Sequence, residues 1–247
     1  MTGRIAVLSD IHANMPALQA VLAEVEQADV DLVVFGGDVA AGPWPVETIE
    51  HLATYRGPAR FVRGNADRFM VEIFDGIRES TEPMDVWSAR RLQRTHRDFL
   101  SRFEPFVELR VDRIGVVVCC HASPGSDELP IITPATPEAE IAPALSNTAA
   151  DLIVAGHTHM QFDRLIAKQR MVNAGSVGMP YANQPGAYWA LIGPDVQLRR
   201  TGYDFGAAAQ AVLATEYPER HDFAEHLARP LTPKETIPIF ERMAGRA

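Results

Sequence analysis

Thiols are nearly absent from this chain. Cys119 and Cys120 are the only cysteines in 247 residues, and they sit side by side in an apolar run. Neighbours on a strand point to opposite faces, so this pair excludes a disulfide framework and fits a reducing compartment. Long apolar runs are missing too. The N-terminus offers only Ile5 to Leu8 before a polar group, too short for the apolar core of a signal peptide. No stretch approaches the roughly 20 residues that span a bilayer, so a cytoplasmic protein with no membrane partner is expected. Positive charge is scarce. The 23 Lys and Arg face 32 Asp and Glu, for a formal net charge of −9 and a pI near 5.4. Such a surface repels phosphate backbones and excludes a protein that coats extended nucleic acid. Internal repeats and low-complexity segments are also lacking. What is present is an ordinary globular composition, 47% hydrophobic and 22% charged, enough for one sizeable core with a small appendage.

The first half alternates strands and helices. Ile5 to Leu8 and Leu32 to Phe35 are short continuous apolar runs of the kind buried on both faces, and Arg60-Phe61-Val62 is a third. Helices are expected after Asn14, a plausible N-cap, and over 46–55, so a βαβαβ unit with parallel strands follows. A long amphipathic helix is expected over 84–103. Strands at 107–111 and 114–120 turn at Asp112-Arg113, the proline-rich stretch 123–137 reads as an irregular loop, and a helix over 138–149 precedes the strand Leu152 to Ala155. Further strands lie near 162–166, 171–173, 188–192 and 196–200. The last pair is joined by Gly193-Pro194-Asp195 and is expected to be antiparallel. Residues 1–202 are expected to form one domain and 203–247 a helical appendage packed on it, too small for a robust core of its own.

The positions of the polar residues carry the functional reading. Apolar runs end at Asp10/His12, Asp38, Asn65, His121 and His157/His159. In open α/β sheets the ligand site lies beyond the carboxyl ends of the strands, so one edge receives all seven side chains. Two carboxylates, four imidazoles and one amide are hard-to-borderline ligands that suit Mn²⁺, Fe, Zn²⁺ or similar ions. Seven are too many for one tetrahedral ion. They suit two divalent ions about 3.5–4 Å apart, the clamp used for in-line displacement at phosphorus. Two such ions against Asp10 and Asp38 leave about +2 locally, enough to hold a phosphate inside an acidic protein. Each residue alone could equally be a helix cap or turn residue.

In this order, Asp10-Ile11-His12, Gly37-Asp38, Gly64-Asn65-Ala66-Asp67, the lone His121 and Gly156-His157-Thr158-His159 resemble the calcineurin-like metallophosphoesterases over about residues 4–202. Asn173-Ala174-Gly175-Ser176-Val177-Gly178 is similar to the Asn-Pro-Gly-Ser-Val-Gly element of the small bacterial and archaeal phosphodiesterase branch, with Ala174 in place of proline. The resemblance implies a four-layer α/β/β/α sandwich with a C-terminal helical appendage. It implies one metal held by Asp10, His12 and His159, a second by Asn65, His121 and His157, and Asp38 between them. The ions are expected to be Mn²⁺, with Fe, Zn²⁺, Ni²⁺ or Co²⁺ as alternatives. It implies hydrolysis of small phosphodiesters or activated phosphomonoesters by a metal-bridging hydroxide, with Asp38, Asn65 and His121 catalytic.

One position departs from the pattern. Many members carry, between the Asn and the acid, a His read as the general acid for the leaving oxygen. Here it is Ala66. A general acid typically contributes about 10²–10⁴-fold, least for leaving groups of low pKa. Asp67 is either a replacement acid or a carboxylate that orients a metal ligand from behind. A dinucleoside-polyphosphate hydrolase, a protein phosphatase and a degenerate metal-binding scaffold for protein interactions are the alternatives. Arg68 is a candidate phosphate contact or a surface ion pair. Arg90, Arg91, Arg94 and Arg97 form a docking face or a solvated helix face. His51, His96, His221 and His226 have no partner motif. The 123–137 loop and the tail are suited to a lid or a dimer interface, which leaves a homo-oligomer open.

Overall fold

The computed structural model describes residues 2–246. From the N-terminus, β1 (Ile5–Leu8), α1 (Met15–Gln27), β2 (Leu32–Phe35), α2 (Pro45–Ala53) and β3 (Ala59–Phe61) form the βαβαβ unit, and α3 (Asn65–Phe74) follows. Then come α4 (Pro83–Arg90), α5 (Arg94–Leu100), the hairpin β4 (Phe106–Val111) and β5 (Gly115–Cys120), and α6 (Glu138–Leu145). The strand β6 (Leu152–Ala155) leads to two more hairpins, β7 (Phe162–Ile166) with β8 (Gln169–Asn173) and β9 (Ala187–Ile192) with β10 (Val196–Thr201). Three helices close the chain, α7 (Phe205–Leu213), α8 (Arg220–Ala228) and α9 (Pro233–Met243). No helix among the described residues is long and apolar enough to cross a membrane.

The strands make two five-stranded mixed sheets, ordered β10-β9-β1-β2-β3 and β4-β5-β6-β8-β7. Period-2 alternation explains why they stack. Ile5, Val7, Val34, Val117, Cys119, Leu152 and Val154 point into the layer between the sheets. Their neighbours Ala6, Leu8, Val33 and Phe35 face the other way, onto Leu18, Ile49 and Met70 of α1, α2 and α3. Val118, Cys120, Ile153 and Ala155 face Ile141 and Leu145 of α6. Strands apolar on both sides are what a four-layer α/β/β/α sandwich needs. The two thiols occupy different cores and are free. Burial pushes the Cys119 thiol up to about 12, which leaves it an inert packing group.

The expected long helix over 84–103 is instead two helices, α4 and α5. Gln93 starts the second one. Its backbone N–H donates to Nδ1 of His96, three residues on, in a capping-box arrangement that favours a fresh helix start over continuation. Asn14 caps α1 by accepting from the Ala17 N–H.

The final helices pack through Val212, Tyr217, Phe223 and Leu227 against Trp44, Met84, Trp87 and Met179 of the sandwich. The end of α9 is tied down separately. Glu241 accepts from Thr133 Oγ1 at 2.8 Å and from Arg246 Nε at 2.6 Å. Arg246 also donates to the Ile131 carbonyl. Arg246 first, with Thr133 and Thr136 after it, holds the Glu241 carboxyl at about 2, below its ordinary 4.5 and against the opposing effect of burial. The unfolded chain binds that proton more tightly, so the clamp is intact above pH 4.5 and lost as pH falls toward 2. We expect the carbon NMR signal of the Glu241 carboxyl to titrate near 2, with the α9 amides moving alongside. Titration at the ordinary glutamate value would contradict the clamp.

Candidate metal centre

The site is built by the loops that leave β1, β2, β3, β5 and β6. Their backbone is unusual. Asp10 (φ 55°), His12 (47°), Asp38 (53°), His157 (68°) and His159 (58°) all lie in the left-handed region, which costs a non-glycine residue on the order of 1 kcal/mol or more. Bonds between loops impose it. The Asp10 N–H donates to the Gly37 carbonyl and the His12 N–H to the Asp38 carbonyl, both at 2.9 Å. The His157 N–H donates to the Asp10 carboxylate at 3.0 Å. Two glycines let the loops come this close. A Cβ on Gly64 would sit 2.1 Å from Asp38 Oδ1, and one on Gly156 2.3 Å from Asp10 Oδ2.

The imidazoles are oriented by the backbone. His12 Nδ1 donates to the Ala41 carbonyl at 3.0 Å, His121 Nδ1 to Gly36 at 2.8 Å and His159 Nδ1 to Met179 at 2.8 Å. That leaves the Nε2 lone pair of each ring turned inward. His12 Nε2 and His159 Nε2 are 3.1 Å apart. His159 Nε2 lies 3.2 Å from Asp10 Oδ1, and His121 Nε2 lies 3.3 Å from Asp38 Oδ2 and 3.8 Å from Asp10 Oδ1. Asp10, His12 and His159 make one group whose ligand atoms all fall within 4.8 Å of each other, and Asp10, Asp38 and His121 make another. Asn65 and His157 border them. Asn65 opens α3, and its Oδ1 is buried without a hydrogen-bond partner, as is His121 Nε2. The His157 ring centre is 5.2 Å from that of His121. Buried polar atoms left orphaned beside inward lone pairs and carboxylates fit divalent cations.

The electrostatics agree. Burial opposes ionisation of Asp10, yet His159 and His121 hold its carboxyl below the usual range. Asp38 is likewise held low by His121 and His12 against its burial. His121 is pushed up to about 10, burial working against Asp38 and Asp10. Burial, then His121, pushes His157 down to about 4. Ionised carboxylates beside an unprotonated imidazole such as His157 are the donor states a divalent cation requires.

Residues 4–192 match the calcineurin-like phosphoesterase superfamily domain. The chain belongs to this superfamily. It is 24% identical over 237 residues to the uncharacterized protein MJ0912 of Methanocaldococcus jannaschii, covering 87% of this chain and 94% of that one. Two solved structures share its fold. The metallophosphoesterase from Sphaerobacter thermophilus aligns with a TM-score of 0.70 at 24% identity, over 94% of this chain and 100% of that chain. The hypothetical protein PH1004 from Pyrococcus horikoshii aligns at 0.75 and 20%, over 93% of this chain and 99% of that chain. Such coverage takes in part of the helices after residue 203.

Within this superfamily member, Asp67 does not face the cluster of ligand atoms. Its fully buried carboxylate accepts from the backbone N–H groups of Asp38 (2.8 Å), Val39 (3.0 Å) and Gly64 (3.0 Å). Burial and the Asp38 carboxylate push it up to about 7, against the pull of the Gly64 and Val39 N–H groups. The Asn173–Gly178 element also braces the site. Ser176 Oγ donates to the Asp10 carbonyl at 2.7 Å, and Asn173 Nδ2 to the Gly156 carbonyl at 2.5 Å. Arg68 is engaged by Asp127, Glu128 and Glu72. Arg91, Arg94 and Arg97 pair with Glu216, Asp98 and Asp75. Two further side chains stand beside the site, Tyr181, which no motif marks, and His226, which the sequence offers only as a histidine without a partner motif. Tyr181 stacks on the His159 ring at 5.3 Å, and His226 of α8 meets Tyr181 edge-on at 5.6 Å while its Nε2 donates to the Pro180 carbonyl. No spacing rule marks either, because tertiary packing alone brings them there.

Proposed function

We propose that the protein is a dimetal phosphoesterase that cleaves small phosphodiesters or activated phosphomonoesters. The observation that carries this reading is the convergence of three inward Nε2 atoms, those of His12, His121 and His159, on the two buried carboxylates of Asp10 and Asp38. Asp10, His12 and His159 would hold one ion and Asn65, His121 and His157 the other, with Asp38 between them. Bound there, two divalent cations supply Lewis acidity toward phosphate oxygens and neutralise charge on the leaving oxygen. Mn²⁺ is the ion we favour for a donor set of oxygen and imidazole without thiolate.

The chain itself supplies order. Backbone carbonyls behind Nδ1 fix each imidazole, and Asp67 fixes the turn that carries Asp38. Ala66, where an imidazole would protonate the leaving oxygen, has no proton to give, so leaving groups of low pKa are favoured. The acidic surface confines anion binding to this edge, and the buried thiols fit a cytoplasmic location. The test is turnover of bis(p-nitrophenyl) phosphate with added Mn²⁺. Chelation should abolish it and Mn²⁺ should restore it. Turnover that survives chelation would sink the proposal.

A further inference from the structure

A cavity of about 480 Å³ lies on the far side of Met179 and Tyr181 from His159. Met179 and Tyr181 form the shared wall. The Met179 carbonyl orients His159, the Tyr181 ring lies on the His159 ring, and both residues line the cavity. The far wall comes from the segment after residue 203, through Phe223 and His226 of α8 and Leu231 of the turn before α9, with Met84 and Tyr217 also lining it. This volume is in the range of small-molecule sites, and apolar and aromatic side chains make up much of its surface.

From this geometry we infer that the C-terminal helices build the subsite for the organic substituent of the phosphoester, and that this subsite takes an aromatic group bearing no negative charge. The inference rests on the phosphoesterase reading and adds the substrate class. Contiguity comes first. Tyr181 lies against the ring of His159 and also lines the cavity, so a substituent on phosphorus that extends past His159 would meet aromatic side chains there. Charge comes second. Glu219, Asp222, Glu225 and Glu235 line the cavity against one cation, Arg229. Burial pushes His226 down to about 4, so it adds no positive charge near neutral pH. Glu219 is raised by burial and then by Asp222 and Glu82, which shows the carboxylates acting on one another. A second phosphate or a carboxylate entering here meets repulsion, whereas a neutral or cationic ring does not. A dinucleoside polyphosphate is therefore a poor fit.

Three diesters with one p-nitrophenyl leaving group test this. Their other substituent is phenyl, 4-carboxyphenyl or 4-(trimethylammonio)phenyl, so the p-nitrophenyl leaving group is constant while the charge carried into the cavity varies, and the effect is read in KM. With Mn²⁺, kcat/KM should be about tenfold lower for carboxyphenyl than for phenyl, through KM, and no lower for trimethylammoniophenyl than for phenyl. In the triple variant Glu219→Gln, Asp222→Asn, Glu225→Gln the phenyl-to-carboxyphenyl ratio should fall below about 2. Independently of turnover, phenyltrimethylammonium added to the metal-free protein should shift the Tyr181 and Phe223 amide NMR signals, and benzoate should not. Equal kcat/KM for all three diesters, or an unchanged ratio in the variant, would overturn the subsite while leaving the phosphoesterase reading standing. No turnover of any diester would overturn that reading instead, and the amide shifts would still decide whether the cavity binds as described.

Discussion

Asp38→Asn should reduce phosphoesterase kcat/KM by at least about 10³-fold, on the order of 4 kcal/mol of barrier, while the fold survives. Asp38 lies between both sets of imidazoles, 3.3 Å from His121 Nε2 and 3.9 Å from His12 Nε2, with Asp10 Oδ1 3.2 Å from His159 Nε2 and 3.8 Å from His121 Nε2 beside it. The other oxygen of Asp38 accepts from the Ala66 N–H at 2.8 Å. Asparagine keeps that acceptor, fills the same volume and tolerates the left-handed φ of 53°. What it removes is one negative charge, and it turns an NH₂ toward the inward lone pairs where the proposed cations would sit. Two divalent ions held close together repel strongly, and the shared carboxylate is what offsets that repulsion. Metal content by elemental analysis should therefore fall from about two ions toward one. The melting temperature of the metal-free variant should stay near that of the metal-free wild type, since the lost charge is itself costly to bury. A variant that retains both ions and full activity would remove Asp38 from the centre.

Much of this site was legible before the fold was known, and the reason is geometric. Parallel strands buried on both faces carry no polar residues within them, so the first polar side chain after Leu8, Phe35, Cys120 or Ala155 stands at the carboxyl edge. The alternation of Ile5 and Val7 with Ala6 and Leu8 already encodes two cores. Three features were not legible. The break at 91–93 depends on His96 capping Gln93 more favourably than continuing a helix, a competition that periodicity does not register. Tyr181 and His226 reach the site through packing between segments far apart in the chain. The partners of Asp67 include N–H groups 28 and 29 residues away, and a motif read along the chain shows the carboxylate but not what it faces.

That last case yields the second large prediction. An acid that protonates a leaving group must present its proton to the substrate. Asp67 presents both oxygens to the backbone, Oδ2 to the Asp38 and Gly64 N–H groups and Oδ1 to that of Val39. Its carboxylate thus clamps the β2 turn to the start of α3 and sets where Asp38 and Asn65 stand. Asp67→Ala leaves three buried donors without partners, at about 1–3 kcal/mol each, so a total loss on the order of 3–9 kcal/mol is expected. For a domain of this size that lowers the melting temperature by on the order of 10 °C or more. Asp67→Asn should be nearly as harmful, because its NH₂ faces N–H groups that need an acceptor. Metal affinity should drop with stability in both variants. Among diesters, kcat should fall by a similar factor for p-nitrophenol and for poorer leaving groups, since the damage is to position rather than to proton transfer. A general acid behaves in the opposite way. Its Asn variant would melt and bind metal like wild type and lose activity only as the leaving-group pKa rises. The slope of log kcat against leaving-group pKa, measured in wild type and Asp67→Asn, separates the two. A steeper slope with unchanged melting would give the proton to Asp67, and parallel slopes with lowered melting would leave the leaving oxygen to chemistry that Ala66 cannot assist.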